Sequence, residues 1–344
     1  MSATGTTIIE TVEMHTGGEP VRIVTSGYPR IEGATILDKR RCARERFDHL
    51  RKLLIFEPRG HYDMYGVIPV EPDLPGADMA VLFMHNEGYS TMCGHATIAV
   101  GRFAVDRGIV ARTSPETPGA PAPETIVNIQ CPCGLVRARV AADGAVAFES
   151  VPAFAFALDA MVDVPGFGEV KTDIGYGGAF YAILPAERLG LSIDARLRDL
   201  VDAADAMTKA TAKQIALAHP EDKDLAFLYG TILTDGGDSG GESAGRPSKN
   251  ICVFAEREVD RSPTGSGVTA RMAIMAARGD VGMDETRAFS SVTGSVFTAR
   301  LVSHIKTGDI DAVRVEVSGR AHYTGESRFT LEPGDELGQG FLLR

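Results

Sequence analysis

The stretch DRSPTGSGVTARMA, residues 260–273, reads as a glycine turn opening a helix, a setting that often displays a strong nucleophile. The residue it presents is Thr264, whose hydroxyl is a poor acid and a poor base near neutral pH. An earlier stretch of the same texture, STMCGHATIAVGRFA at 90–104, presents Cys93. After each turn the helix is apolar nearly all round (ATIAVGRFAV and VTARMAIMAA), which predicts a buried rather than a surface helix. One chain thus builds two similar turns and arms one of them with a thiol.

The resemblance extends outward from the turns. TTIIETVEMHTGG and EPVRIVTSGYP predict two strands joined at Gly17-Gly18, and EVKTDIGYGGAFYAIL (169–184) repeats that texture around Gly177-Gly178. ADMAVLFMHNEGY predicts an apolar strand leading to Cys93, and ICVFAEREVD a strand leading to Thr264. Residues 38–56 predict one amphipathic helix with Phe47, Leu50 and Leu54 on one face. A second helical stretch is expected around 194–218, and strands over 125–155 turn at Asp143-Gly144. The Pro-rich 113–124 and the Gly/Ser-rich 236–250 are expected to be loops.

This internal repeat predicts an α+β protein of two like domains, each with mixed strands around a central buried helix. The expected boundaries are 1–150 and 151–329, with a C-terminal strand at 330–344 returning to the first domain. Like domains facing each other would bring both turns to a shared site.

A formal net charge of -11 argues against nucleic acid or an anionic membrane as partner. No run has the apolar length to span a bilayer, and the start, MSATGTTIIETVEMH, lacks a basic region followed by an apolar stretch, so a cytoplasmic chain is expected. The odd, scattered set of five cysteines does not read as a disulfide framework. Cys131 and Cys133 in CPCG form a C-x-C without a second pair, which favours strand residues over a zinc site; no metal is expected.

A thiol at a helix start has its thiolate favoured, with pKa values falling from about 8.5 to roughly 3.5–7.5 at comparable sites. Read alone, Cys93 is either such a thiolate or a buried structural cysteine. Gly94 permits close approach of a ligand, and His95 offers a hydrogen bond. Asp260 either faces a cationic group or caps its own turn. Gly265 and Ser266 supply backbone N–H groups at the second helix start. Two helix N-termini suit a carboxylate. With a cationic amine opposite Asp260, the expected substrate class is an amino acid.

VEMHTGGEPVRIV, RGHYDMYG, MCGHATIAVGRF, GYGGAFY and DRSPTGSGVTAR together resemble the proline racemase family, in order and over nearly the whole chain. The resemblance implies the diaminopimelate-epimerase-like fold, two pseudo-symmetric domains each a β-barrel-like sheet around a central helix, with the active site at their interface. It implies no cofactor and a possible homodimer. Family racemases and hydroxyproline epimerases use two opposed cysteines; here the first matches at Cys93 and the second position holds Thr264. That pairing resembles the family's trans-3-hydroxy-L-proline dehydratase branch, with Cys93 and Thr264 as the catalytic pair and Gly94, His95, Asp260, Gly265 and Ser266 as substrate contacts. His15 and Glu19 lie near the family's amino-terminal motif and receive no role beyond the architecture, whereas His61 and Asp63 in RGHYDMYG are placed within reach of the site, with no role assigned. Alternatives are a 4-hydroxyproline epimerase or proline racemase, a Cys/His hydrolase, and a non-catalytic amino-acid-binding protein.

Overall fold

The computed structural model describes residues 6–115, 122–237 and 246–343. The chain divides into two compact units, one of Met1–Thr91, His95–Val146 and Arg320–Arg344, the other of Met92–Gly94 and Ala147–Gly319.

In the first unit β1 (Thr7–Thr16) and β2 (Glu19–Ser26) form an antiparallel hairpin at Gly17-Gly18. Next, β2 runs parallel to β3 (Gly66–Val70), and β3 antiparallel to β4 (Met79–Met84). The short β5 (Tyr89–Ser90) folds back on β4, which also runs parallel to β6 (Thr125–Cys131); β6 then pairs antiparallel with β7 (Gly134–Val140). Helices α1 (Ile36–Arg46) and α2 (Asp48–Ile55) lie between β2 and β3 in sequence, and α3 (Gly94–Asp106) between β5 and β6.

After β8 (Ala145–Glu149) and β9 (Phe154–Val164), the second unit repeats that series step for step. Strands β10 (Gly168–Tyr176) and β11 (Phe180–Pro185) form the antiparallel hairpin at Gly177-Gly178, and β11 runs parallel to β12 (Leu228–Thr234). Antiparallel to β12 is β13 (Ser248–Phe254), onto which the short β14 (Glu258–Asp260) folds back. Strand β13 also runs parallel to β15 (Thr286–Ser290), and β15 antiparallel to β16 (Val296–Thr307). Here α4 (Leu197–Gln214) separates β11 from β12, and α5 (Gly265–Arg278) separates β14 from β15. The long β17 (Ile310–Leu331) pairs with β16 through Ser318 and, from Ala321 onward, with β1.

The apolar helices after the two turns are buried, as their composition requires. Along α3 only Arg102 and Asp106 reach solvent, and α5 is buried from Gly265 to Met275. Packed against α5 are β9, β10, β11 and β16. The approach is close: a Cβ on Gly177 would lie 2.1 Å from the Ser266 carbonyl oxygen, so the hairpin between β10 and β11 reaches the first turn of α5 only through a glycine. The remaining cores pack α2 under Ile68, Leu82 and Met84 in the first unit, and α4 under Leu184, Leu233 and Ile251 in the second.

Two local readings are corrected. The helix expected over 38–56 breaks at Phe47, which ends α1 and precedes α2. The first half, DKRRCARER, has little to bury, whereas α2 buries Leu50, Leu53, Leu54 and Ile55 and takes its own direction against the core. ICVFAEREVD is not one strand: Ala255 and Arg257 adopt positive φ and turn the chain, so that β14 returns along β13 with Asp260 opposite Cys252. Within the loops expected at 113–124 and 236–250, residues 116–121 and 238–245 lie outside the described residues. Among the described residues no helix is long and apolar enough to cross a membrane.

Candidate active site

Each turn is reached from a two-stranded return, β4–β5 before Cys93 and β13–β14 before Thr264. Met92–Gly94 belong to the second unit, where Gly94 and Gly265 meet backbone to backbone. A Cβ on Gly94 would sit 2.4 Å from the Cα of Gly265, and one on Gly265 would sit 2.7 Å from the Cα of Gly94. Neither position tolerates a side chain. Cys93 and Thr264, the residues immediately before these glycines, are both buried.

Thr264 departs from its residue type twice. Its backbone is left-handed (φ 67°, ψ 88°), which is uncommon for a β-branched residue. A threonine before a helix ordinarily caps the first turn, but this side chain makes no capping hydrogen bond. Its Oγ1 is buried with no hydrogen-bond partner among the described residues. Strain of this kind and an unsatisfied buried hydroxyl each cost about 1–3 kcal/mol, and such costs concentrate where a ligand is handled.

The loop leading to Thr264 is held by its own polar groups. The Asp260 carboxylate accepts from the Ser262 amide (2.7 Å), and the Ser262 hydroxyl accepts from the Thr264 amide (3.1 Å). Asp260 therefore does orient its own turn. On the far side the Val268 amide donates to the Thr264 carbonyl at 2.7 Å, beginning α5. The Ser266 hydroxyl shares a 2.7 Å hydrogen bond with the phenol of the fully buried Tyr181. Burial pushes the Tyr181 phenol well above its usual range; charge on Cys252, Asp260 or Cys93 pushes it the same way, while the Ser266 bond opposes the shift. The phenol is a neutral hydrogen-bonding group here, and Cys93, Cys252, Asp260 and Ser266 all lie within its electrostatic reach.

In the first unit the start of α3 is pinned by the Thr16 hydroxyl, which donates to the His95 carbonyl at 2.8 Å. The His95 ring packs edge-on against Tyr65, with centroids 4.8 Å apart, and Tyr65 is bonded to Ser90 at 2.6 Å. His95 is thus held in place at the beginning of the helix.

Of the residues without an assigned role, His15 accepts from the Gly18 amide and stacks on His322, which makes it part of the β1–β2 turn. Glu19 is fully buried, His61 is exposed and Asp63 is partly buried. Burial raises the Cys133 thiol to about 12, so it is a poor thiolate. No disulfide joins the five cysteines, and no cluster of three or more metal-ligating side chains occurs among the described residues.

Sequence reading missed Tyr181 and Cys252. Both sit in strands that are almost wholly apolar and buried, where a phenol or a thiol looks like packing. The usable signal was the Tyr181 hydroxyl, since a buried phenol needs a polar partner.

The proline racemase family model matches residues 11–342. The chain belongs to the proline racemase family. It is 56% identical over 347 residues to the human trans-3-hydroxy-L-proline dehydratase, covering 99% of this chain and 96% of that one. A trans-3-hydroxy-L-proline dehydratase from Burkholderia ambifaria is 42% identical, covering 98% of each chain. Among solved structures, a hydroxyproline epimerase from Agrobacterium vitis with bound trans-4-OH-L-proline superposes with a TM-score of 0.88 at 27% identity, covering 98% of this chain and 95% of that one. More distant matches, such as a predicted epimerase from Pseudomonas aeruginosa (TM-score 0.56, 13% identity), share the fold alone.

Proposed function

We propose that this family member is a trans-3-hydroxy-L-proline dehydratase, a hydro-lyase that needs no cofactor. The observation that carries the reading is the asymmetry of the two turns: a thiol precedes Gly94, and a strained, unsatisfied hydroxyl precedes Gly265. The full-length similarity to enzymes of that name supports it.

Stereochemistry explains why one acid/base group suffices. Racemisation takes a proton from one face of Cα and returns one to the other, so it needs a titrating group on each side. In trans-3-hydroxy-L-proline the C3 hydroxyl is trans to the carboxylate and therefore cis to the Cα hydrogen. Loss of water is then syn, and all bond changes fall on one face. The Cys93 thiolate takes the Cα proton, and the Cα–H electron pair becomes the C2=C3 bond. The C3–O bond breaks, and the oxygen leaves as water after accepting a proton on that same face from the newly formed Cys93 thiol, which regenerates the thiolate, or from a group beside it. The product, Δ2-pyrroline-2-carboxylate, tautomerises to Δ1-pyrroline-2-carboxylate.

The remaining residues bind. The starts of α3 and α5 favour the carboxylate through Gly94, His95, Gly265 and Ser266. Tyr181 fixes the Ser266 hydroxyl. Asp260 serves the ring amine as well as its own turn. Thr264 satisfies its hydroxyl on the substrate without titrating. We place the enzyme in the cytoplasm, a reducing setting that suits its five cysteines in no disulfide, as a homodimer.

The test offers the purified protein cis- and trans-3-hydroxyproline, the 4-hydroxy isomers and proline. Cyclic imine from trans-3-hydroxy-L-proline alone is the expected result; an inverted 4-hydroxyproline formed at comparable speed would instead make it an epimerase. Thr264→Ala should lower kcat/KM about tenfold, the scale of one buried hydrogen bond to a charged group. Thr264→Cys should acquire Cα inversion, seen as deuterium entering from heavy water with loss of optical purity. No such exchange with inversion would argue against Thr264 occupying the second acid/base position.

A further inference from the structure

Thr264 does not choose its left-handed backbone by itself, so surrounding groups must impose it. A peptide group is planar and turns as a unit. The one joining Pro263 to Thr264 is held at both ends. Its N–H is bonded to the Ser262 hydroxyl at 3.1 Å, and its carbonyl accepts from the Asn250 amide nitrogen at 3.3 Å. Rotating this plane is what would change φ at Thr264.

Asn250 is buried in β13, and its orientation is set in turn. Its Oδ1 accepts from Nη1 of Arg271 at 2.8 Å, which leaves the amide N–H groups facing Pro263. Arg271 belongs to α5, the helix that Thr264 opens, and is almost completely buried. Its other Nη donates to the Ser248 hydroxyl, and the guanidinium lies over the Phe289 ring, 4.5 Å from the centroid. Ser248 donates onward to the Asp235 carboxylate at 2.9 Å. Helix, strand and turn are thereby tied through one planar cation whose donors have fixed directions.

We propose that Arg271, acting through Asn250, is the positioning residue that holds Thr264 in its left-handed conformation and so aims its hydroxyl. The proposal rests on the dehydratase reading for its assay and is otherwise independent of it.

The test is a double-mutant cycle. Asn250→Asp keeps the size of the side chain and its bond to Arg271, but it replaces the donor facing the Pro263 carbonyl by an acceptor. If Asn250 acts through Thr264, this change should lower kcat/KM about five- to tenfold, no more than Thr264→Ala does, and should change it within about twofold in the Thr264→Ala background. Arg271→Lys, which keeps the charge and loses the fork, should show the same coupling and serves if Asn250→Asp does not fold. An equal loss in both backgrounds would mean general structural damage and overturn the proposal, as would no loss in the Thr264 enzyme. Failure of the parent protein to form imine would count against the functional reading instead, because it is seen before any variant is compared.

Discussion

Cys93→Ser is expected to fold as the parent does and to lose nearly all turnover, a fall in kcat of about 10²–10⁴-fold or more, the range set by a positioned proton transfer. The exchange of sulfur for oxygen changes little volume, so the buried turn keeps its packing and the thermal midpoint should stay within a few degrees. What disappears is acidity. A thiol at a helix start is brought within reach of neutral pH, whereas a serine hydroxyl stays protonated there. The variant should still bind substrate, shown by a ligand-dependent rise in melting temperature. Imine formation at a rate near that of the parent would remove Cys93 from the mechanism. The parent enzyme separates the hydrolase alternative, because a covalent acyl-enzyme with a burst phase is expected of a nucleophilic cysteine and not of a base.

Gly94→Ala should be nearly as damaging although it adds a single methyl group. That methyl would meet backbone atoms of Gly265 at 2.4, 2.9 and 3.1 Å, and backbone cannot swing aside as a side-chain tip can. Restoring ordinary contact moves Gly94 and Gly265 apart by about 1 Å, and a displacement of that size costs on the order of 10²-fold in rate when reacting groups must be aligned. The prediction is a loss of about that size in kcat/KM, accompanied by some loss of thermal stability. Gly265→Ala should behave alike, since its methyl would lie 2.7 Å from Gly94. Gly325→Ala is the control: it sits in β17 with open space around the position of the added atom. Full activity in Gly94→Ala would show that the close approach of the two turns is not needed for turnover.

Much of the architecture was legible because it is written in short-range pattern. Gly17-Gly18 and Gly177-Gly178 announce matching hairpins, and the apolar runs after Cys93 and Thr264 announce matching buried helices. The strand series β1 to β7 recurs as β10 to β16 with the same parallel and antiparallel steps. Where the pattern misled, long-range packing had overridden it. Residues 38–56 carry a helical period throughout, but the part before Phe47 gives the core little beyond Ala43, whereas the part after it buries Leu50, Leu53, Leu54 and Ile55. ICVFAEREVD has strand propensity on both sides of AERE, and only the paired register of Cys252 with Asp260 reveals the reversal.

The amino-acid sequence determined the asymmetry of the two turns, because it depends on residue type alone: a thiol stands at 93 and a hydroxyl at 264. The tertiary structure decided what those groups face and how they are held. Contacts between Gly94 and Gly265, or from Arg271 through Asn250 to Pro263, join positions far apart in the chain. No local period encodes such pairs, since they exist only once separate strands and helices have packed around the same few atoms.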